Sequence, residues 1–503
     1  MTDHPNRKAW EPILANLEQR RAASREMGGA ERVAKQHARG KLDARQRIEA
    51  LFDPGTFAEL GAFTGAIDTP ADALVAGLGR IDGRPALAGV EDFTVLGGSI
   101  GNGAADKRYR LAQLARQERV PLVFMLEGAG HRLTNKASGR KPNDLQALAE
   151  LSGLVPMVCL VLGPSAGHGA LTAPLSDFVV MTPDSQLFSA GPPLVRDAIG
   201  EDVTKEELGG PQVHVETSGV AHNLAADDAD AIATARRYLS YFPPNAWSAP
   251  PFDPGGHDTG PRRLDDLLDV IPPNARQPYS MRSVVELLVD AGSYLEVQPS
   301  YGAAIVTALA RLGGRSVAIV ANDPSVRAGT VDTAAAEKAT HFVDVAGAFH
   351  LPCLFLADNP GVMAGTQAER AGALRAVARL FVAQHRLRGP KLHVTVRKAF
   401  GFGSSIMGMN PFDSQTISLT FPAITLGALP ASSGAASAKL TDEHAARIAA
   451  EQSAAAFRSA SGMGYDDVID PRELRNALLH GITLSENRAH GPFRPVRHAG
   501  VLP

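Results

Sequence analysis

Leu354-Phe355-Leu356-Ala357 runs into Asp358-Asn359-Pro360-Gly361 and on through Val362-Met363-Ala364-Gly365-Thr366-Gln367-Ala368-Glu369, within a stretch reaching from Lys338 to Gly372. A short apolar run, a Gly/Pro turn and helix-compatible sequence read as strand, turn and helix start. The pattern returns at His393–Val396, which alternates as a strand does and meets Lys398-Ala399-Phe400-Gly401-Phe402-Gly403-Ser404-Ser405. Glycine turns at strand ends present backbone N–H groups to a ligand. The rest of the chain reads as building, duplicating or covering this site.

The duplication is visible at a fixed offset. Moving 231 residues back, Asp323 meets Asp92, Gly329 meets Gly98 and Gly314-Arg315 meets Gly83-Arg84. Likewise Lys338 meets Lys107, Pro352 meets Pro121, Asp358 meets Glu127 and Gly361 meets Gly130. At an offset of 234, Pro390, Gly401 and Gly403 meet Pro156, Gly167 and Gly169, which implies three residues inserted in the second copy. A period this long means a duplicated domain and not a solenoid. Strand candidates at 74–78, 86–90, 95–96, 121–126, 157–162, 179–182 and 186–188 alternate with helices expected at 104–117 and 143–151, which predicts α/β layering.

The two copies are expected as domains 1–255 and 256–503, joined through the Pro- and Gly-rich stretch at 245–275. Residues 1 to about 55 read as a charged arm, helical over 15–39. The tail from Lys439, with helices at 443–459 and 470–479, reads as a packing arm. Net charge is −3, so no general basic footprint favours nucleic acid. Only two cysteines, Cys159 and Cys353, occur, both in apolar runs, and buried thiols in a reducing compartment are expected. No secretory h-region follows the N-terminus and no apolar run is long enough to span a bilayer, so a cytoplasmic protein is expected.

The usual catalytic signatures are missing: no Walker lysine loop, dinucleotide fingerprint, H-E-x-x-H, metal-spaced histidines or Met-Lys-Met biotin attachment site. The G-x-S-x-G string occurs around Ser99 and Ser165. A serine hydrolase stays a minor alternative, because no acid and histidine partners can be assigned to either serine and both read as turn hydroxyls. What remains is four glycine turns at strand ends, two per copy. Paired N–H donors of this kind stabilise a carbonyl oxygen that becomes an enolate, and each is worth roughly 3–4 kcal/mol of barrier.

Gly97-Gly98-Ser99, Leu208-Gly209-Gly210 with His214, Ser218-Gly219-Val220-Ala221, Asp358-x-Pro360-Gly361 with Gly365 and Glu369, and Arg397-Lys398-Ala399-Phe400-Gly401 together resemble the carboxyltransferase (β) subunit of biotin-dependent acyl-CoA carboxylases. The propionyl-CoA and methylcrotonyl-CoA carboxylase branch looks most similar. The resemblance runs from about residue 30 to the C-terminus.

It implies a tandem duplication of a crotonase-like (ClpP/crotonase) domain, with acyl-CoA on the first domain and carboxybiotin on the second domain of another subunit of a hexamer. The carboxybiotin is carried on a separate biotin carboxylase and carrier (α) chain, and no metal is expected in this one. Oxyanion-hole positions carry over to Gly167 and His168, and to Phe402 and Gly403. Gly130 and Ala166 then fall beside the CoA thioester, and Gly361, Gly365, Gly401 and Ser405 beside the carboxybiotin. The implied reaction moves CO2 from carboxybiotin to an acyl-CoA enolate. A biotin-dependent acyl-CoA decarboxylase subunit and a non-catalytic paralogue are the alternatives.

The chain departs from the family pattern at these turns. Glu127-Gly128-Ala129-Gly130-His131-Arg132 stands for Asp-Ser-Gly-Gly-Ala-Arg, and Ala166-Gly167-His168-Gly169 for Ala-Gly-Gly-Ala. Phe400-Gly401-Phe402-Gly403-Ser404-Ser405 stands for Tyr-Gly-Gly-Ala-Tyr-Asp, which puts Ser405 at the position associated with acyl-chain choice. His131 and His168 read equally as packed imidazoles or as hydrogen-bond partners of a thioester. Phe402 reads as a specificity wall, Lys107 and Lys338 as solvated lysines on helix faces, and Glu127 and Asp358 as structural carboxylates.

Overall fold

The computed structural model describes residues 4–65, 69–135, 143–255, 258–489 and 492–496. They form two compact units, one running through Leu239 and the other starting at Ser240. The sequence reading puts the division at 255/256. The Pro- and Gly-rich stretch lies inside the second unit, where Asp253 N–H donates to the Gly314 carbonyl at 2.8 Å and Leu264 N–H to the Arg472 carbonyl at 2.9 Å.

The first unit is built on one mixed sheet. β1 (Ala58–Leu60), β2 (Leu74–Ile81) and β3 (Arg84–Glu91) are antiparallel neighbours. From β3 onward the pairing is parallel, through β4 (Leu122–Gly128), β5 (Met157–Ala166) and β6 (Phe178–Met181). β7 (Gln186–Phe188) pairs with the far end of β5, and β8 (Asn223–Leu224) closes the edge on β6. Parallel neighbours need a crossover, and the helix Asn102–Glu118 supplies it between β3 and β4. Strands covered on both faces read as unbroken apolar runs. Val123–Leu126 and Val158–Leu162 are such runs, each residue at most 2% exposed.

The second unit repeats this sheet strand for strand. β9 (Leu295–Val297), β10 (Ile305–Leu312), β11 (Arg315–Asn322), β12 (Cys353–Asn359), β13 (Lys391–Phe400), β14 (Ile417–Thr420), β15 (Thr425–Gly427) and β16 (Asp467–Val468) take the same places as β1 to β8. Leu74 and Ile305, Arg84 and Arg315, and Leu122 and Cys353 begin equivalent strands, all 231 residues apart. The repeat extends to backbone dihedrals. Leu96, Gly97 and Gly98 have φ of 48°, 63° and 64°, and Arg327, Ala328 and Gly329 have 49°, 58° and 81°. This left-handed turn stands where a strand was expected at Val95-Leu96, because a turn must carry the chain off β3 before the crossover helix.

Three further expectations are corrected. The arm expected as one helix over 15–39 is two, Pro5–Arg25 and Ala30–His37, divided where Met27 and Gly29 take φ of 51° and 88°. The tail is more than a packing arm, since the helix Leu474–Leu484 places Leu474, Leu478 and Ile482 in the second core. Lys107 and Lys338 are not solvated: they are 7% and 2% exposed. The Lys107 ammonium donates to the Ala71 carbonyl at 2.5 Å and to that of Leu74, and Lys338 to the Gln298 carbonyl at 3.1 Å. Ala71 lies just ahead of β2, Leu74 at its start and Gln298 just after β9; all three are buried, and a buried carbonyl needs a donor. Burial pushes the Lys107 ammonium down to about 8 and that of Lys338 down to about 7.

The central parallel strand of each copy ends in a buried carboxylate. Glu127 accepts from Gln36 at 2.9 Å and pairs with Arg47 at 2.6 Å; Arg47 also pairs with Asp228 at 2.7 Å. Asp358 accepts from Tyr279 and Arg397 at 2.8 Å each and pairs with Lys398 at 2.7 Å. Removing one partner of a buried ion pair leaves an uncompensated charge and costs about 3–5 kcal/mol. Arg47→Ala is therefore expected to destabilise the first unit by about that much, read from the urea midpoint of its unfolding transition. A loss under about 1 kcal/mol would show that Glu127 and Asp228 do not depend on Arg47.

Candidate active site

Each unit brings its glycine turns together at the C-terminal ends of its parallel strands, where ligands of open α/β sheets bind. In the first unit the register between β4 and β5 shifts after Leu126, so that Gly128 pairs with Ser165. Ile100 N–H donates to the Gly130 carbonyl at 2.8 Å, Arg132 N–H to the Ile100 carbonyl at 3.0 Å, and Ala129 N–H to the Gly97 carbonyl at 3.0 Å. These bonds lock the 97–101 turn onto the 128–132 turn. The 166–169 turn joins them closely: a Cβ on Gly130 would lie 2.9 Å from the Ala166 carbonyl oxygen. Gly167 has φ of 60°, a left-handed conformation that favours glycine. Gly130, Ala166, Gly167 and His168 are thus one cluster.

The histidines in that cluster are held by groups that no local spacing revealed. His168 Nε2 bonds Asp144 Oδ1 at 2.5 Å, and its ring packs against His131 with centroids 4.6 Å apart. Asp144 takes Arg108 Nε on its other oxygen at 2.7 Å. Arg108 is buried, also bonds Thr172, reaches Glu91 at 3.5 Å and lies over the Phe124 ring. Burial alone would raise the Asp144 carboxyl, but the His168 bond and the Arg108 guanidinium outweigh it and hold it at about 2. Glu91 lies beneath the turns, accepting from Glu127 N–H at 2.9 Å, and burial pushes it up to about 7. His131 is shifted down, first by burial and then by the neighbouring His168.

In the second unit the register between β12 and β13 shifts after Ala357, and Asn359 pairs with Ala399. A Cβ on Gly403 would lie 2.7 Å from Asn359 Oδ1 and 2.8 Å from the Gly361 backbone, which sets the two turns in contact. Asn359 fastens them, donating to Asn322 Oδ1 at 2.9 Å and to the Gly403 carbonyl at 3.3 Å while accepting from Gly361 N–H at 3.1 Å. Gly401, with φ of 55°, is the counterpart of Gly167. Phe402 is 53% exposed at this turn, so it is no core residue. Ser405 is partly buried, and the neighbouring Ser404 hydroxyl is buried without a hydrogen-bond partner. Gly365, at the start of the helix Thr366–Ala371, faces open space, with no atom within 4 Å of a Cβ placed there.

The serines of the two G-x-S-x-G strings are occupied. The Ser99 hydroxyl accepts from Arg132 Nε at 3.2 Å, and that of Ser165 donates back to the Gly163 carbonyl at 3.4 Å. Arg132 also pairs with Asp72 at 2.6 Å, tying the left-handed run Ala71-Asp72-Ala73 to the first site. Asp72, Glu91, Arg108 and Asp144 escaped the sequence reading because their partners lie tens of residues away. Among the described residues no His, Cys, Asp and Glu group could hold a metal ion, and no helix is long and apolar enough to cross a membrane.

This geometry, a duplicated mixed-sheet domain whose turns cluster at the strand ends of both copies, is the tandem crotonase-like arrangement that the resemblance in sequence implies. Comparison with known proteins then fixes the family. The Carboxyl transferase domain family matches residues 35–501. The chain is 34% identical over 499 residues to the methylmalonyl-CoA carboxyltransferase 12S subunit of Propionibacterium freudenreichii subsp. shermanii, covering 95% of this chain and 94% of that one. It is 34% identical over 502 residues to the methylmalonyl-CoA decarboxylase subunit alpha of Veillonella parvula, covering 94% and 96%. It is 37% identical over 437 residues to the biotin-dependent acetyl-/propionyl-coenzyme A carboxylase beta5 subunit of Mycobacterium tuberculosis (strain CDC 1551 / Oshkosh), covering 83% and 79%. The crystal structure of transcarboxylase 12S, a hexamer with methylmalonyl-coenzyme A and methylmalonic acid bound, superposes with a TM-score of 0.90 at 33% identity over 100% of both chains. The chain belongs to the carboxyl transferase family and is an acyl-CoA carboxyltransferase of the biotin-dependent type.

The strand that delivers the second turn carries a pH-sensitive support. His393 on β13 is buried between the Met407 carbonyl at 2.8 Å and Thr395 Oγ1 at 2.9 Å, and burial pushes it down to about 4. A folded value below the ordinary one of about 6.5 means that the unfolded chain binds the proton first. Stability is therefore full above about pH 6.5 and falls as pH drops toward 4. At roughly 1.4 kcal/mol per unit, the second unit should lose about 3 kcal/mol across that window. Urea unfolding at pH 7 and pH 4.5 checks this: His393→Gln should flatten the difference, and an unchanged difference would assign it to other groups.

Proposed function

We propose that the first site binds the acyl-CoA thioester and the second binds carboxybiotin delivered by a separate biotin carboxylase and carrier chain. The observation that carries this reading is the duplication itself: two equivalent turn clusters in one chain suit a reaction with two large reactants that must each be held. At the first site the N–H groups of Gly167 and His168 receive the thioester oxygen, with Gly130 and Ala166 alongside. At the second, Phe402 and Gly403 supply the N–H pair, and Gly361, Gly365, Gly401 and Ser405 line the approach.

The second cluster fits a flat, urea-bearing ring. Phe402 offers an exposed aromatic face, and Ser404 a buried hydroxyl with no partner. Carboxybiotin, when bound, supplies the CO2 and the base that removes the α-proton. The chain's own residues do the rest. Backbone donors at the first turn hold the developing enolate oxygen. The donors belong to the backbone, so His168 and Phe402 can replace glycines without removing an N–H.

We infer a hexamer in the cytoplasm, where the site is completed between subunits. Homology to the hexameric 12S core and two buried free thiols support this. The Veillonella relative supports a second reading, the same chemistry run toward decarboxylation.

The test is reconstitution with a biotinylated carrier chain, ATP and bicarbonate over acetyl-, propionyl- and 3-methylcrotonyl-CoA. ATP-dependent carboxylation of at least one is expected; binding without turnover in either direction would refute the catalytic reading. Gly403→Ala must displace Asn359 or the Gly361 backbone. A shift of that kind in a donor pair is expected to lower kcat by about 10²–10³ while acyl-CoA binding is kept.

A further inference from the structure

His168 stands where the family pattern has glycine, and its side chain is neither loose nor fully buried. Its ring is fastened on one side only. Nε2 bonds Asp144, and Asp144 is in turn fixed by Arg108, which Thr172, Glu91 and the Phe124 face hold in place. An anionic carboxylate on one ring nitrogen stabilises the tautomer that carries its proton there, leaving the other nitrogen as a base. The side chain keeps 19% exposure, enough for solvent to reach the ring. The ring lies beside His131, with the two centroids 4.6 Å apart. The groups facing it are His131 and Asp144, with Arg108 and Glu91 behind. Carboxyl transfer that uses the biotin base leaves this dyad without a task.

We propose that His168, oriented by Asp144, is a proton-transfer residue at the first site, and that it gives the protein a second, carrier-independent activity: exchange of the α-hydrogen of a bound acyl-CoA with solvent. This rests on the reading of the first site as the acyl-CoA site. In the step, the Cα–H bond breaks, the proton passes to His168 Nδ1, and the electron pair forms the enolate, whose charge rests on the thioester oxygen. The ring exchanges its proton with water and returns one to Cα. No oxidant, metal or co-reactant is consumed. Asp144 is a positioning residue, since it acts only through the imidazole.

The experiment incubates the purified full-length protein, without carrier chain or ATP, with propionyl-CoA or butyryl-CoA in D2O. Deuterium gain is followed by mass spectrometry and acyl-CoA binding by calorimetry. The wild type is expected to give successive one-mass-unit gains at Cα. His168→Gln should slow exchange at least tenfold with Kd within threefold. Asp144→Asn should slow it at least threefold, and His168→Gly, which restores the family residue, should match His168→Gln. Binding without exchange above a protein-free control overturns this inference alone, as does wild-type exchange in either folded His168 variant. Failure to bind either thioester overturns both this inference and the assignment of the first site.

Discussion

Each sheet hangs its glycine turns from a buried carboxylate at the end of its central parallel strand. Glu127 and Asp358 are almost wholly removed from water. A lone ion there carries a penalty of several kcal/mol, so each position demands cations. The two copies meet the demand differently. Arg47 and Gln36 reach Glu127 from the N-terminal arm, whereas Asp358 is met by Arg397 and Lys398 on the adjacent strand and by Tyr279. The duplication preserved the need and not the donor. The arm is thereby an integral part of the first unit: without Arg47 the strand that carries Gly128 and Gly130 would end on an unpaired charge.

Most of the strands, the duplication and the glycine turns at strand ends were legible because they leave local or periodic marks. Glycine and proline at fixed offsets report backbone geometry, and apolar runs report strands covered on both faces. Where the same geometry is carried by other residues, the mark disappears. Arg327 and Ala328 adopt the left-handed turn that Leu96 and Gly97 form in the first copy, and nothing in an Arg-Ala pair announces positive φ. Lys107 and Lys338 look like solvent-facing lysines because composition cannot show that each helix turns that face toward buried carbonyls. Arg108 and Asp144, 36 positions apart, meet only through the fold. Side-chain clusters assembled from separate elements are the part of a site that a single sequence conceals.

The two turn clusters share a backbone plan and differ in what surrounds it. The first is polar and titratable, with Glu91, Asp144, His131 and His168 within one connected group. The second offers the Phe402 ring, a buried serine and the Asn359 fastening. Neighbouring carboxyls in the first cluster are driven apart, Glu91 up to about 7 by burial and Asp144 down to about 2 once His168 and Arg108 outweigh burial. That separation is the pattern by which one fold assigns acid and base roles.

Replacing a turn glycine by histidine is not a single change. A partly buried imidazole with no partner would cost about 1–3 kcal/mol, and the Asp144 carboxylate supplies that partner. The ring lies toward Asp144 and His131, and Asp144 waits there as an anion beside the compensating Arg108. Residue 168 therefore draws on residues 144 and 108 before any substrate arrives. The Asp144 bond fixes which nitrogen is free, and the free nitrogen fixes what chemistry the turn can add to its N–H donors. The constraint that makes the substitution tolerable in the folded chain is the same one that would make it reactive.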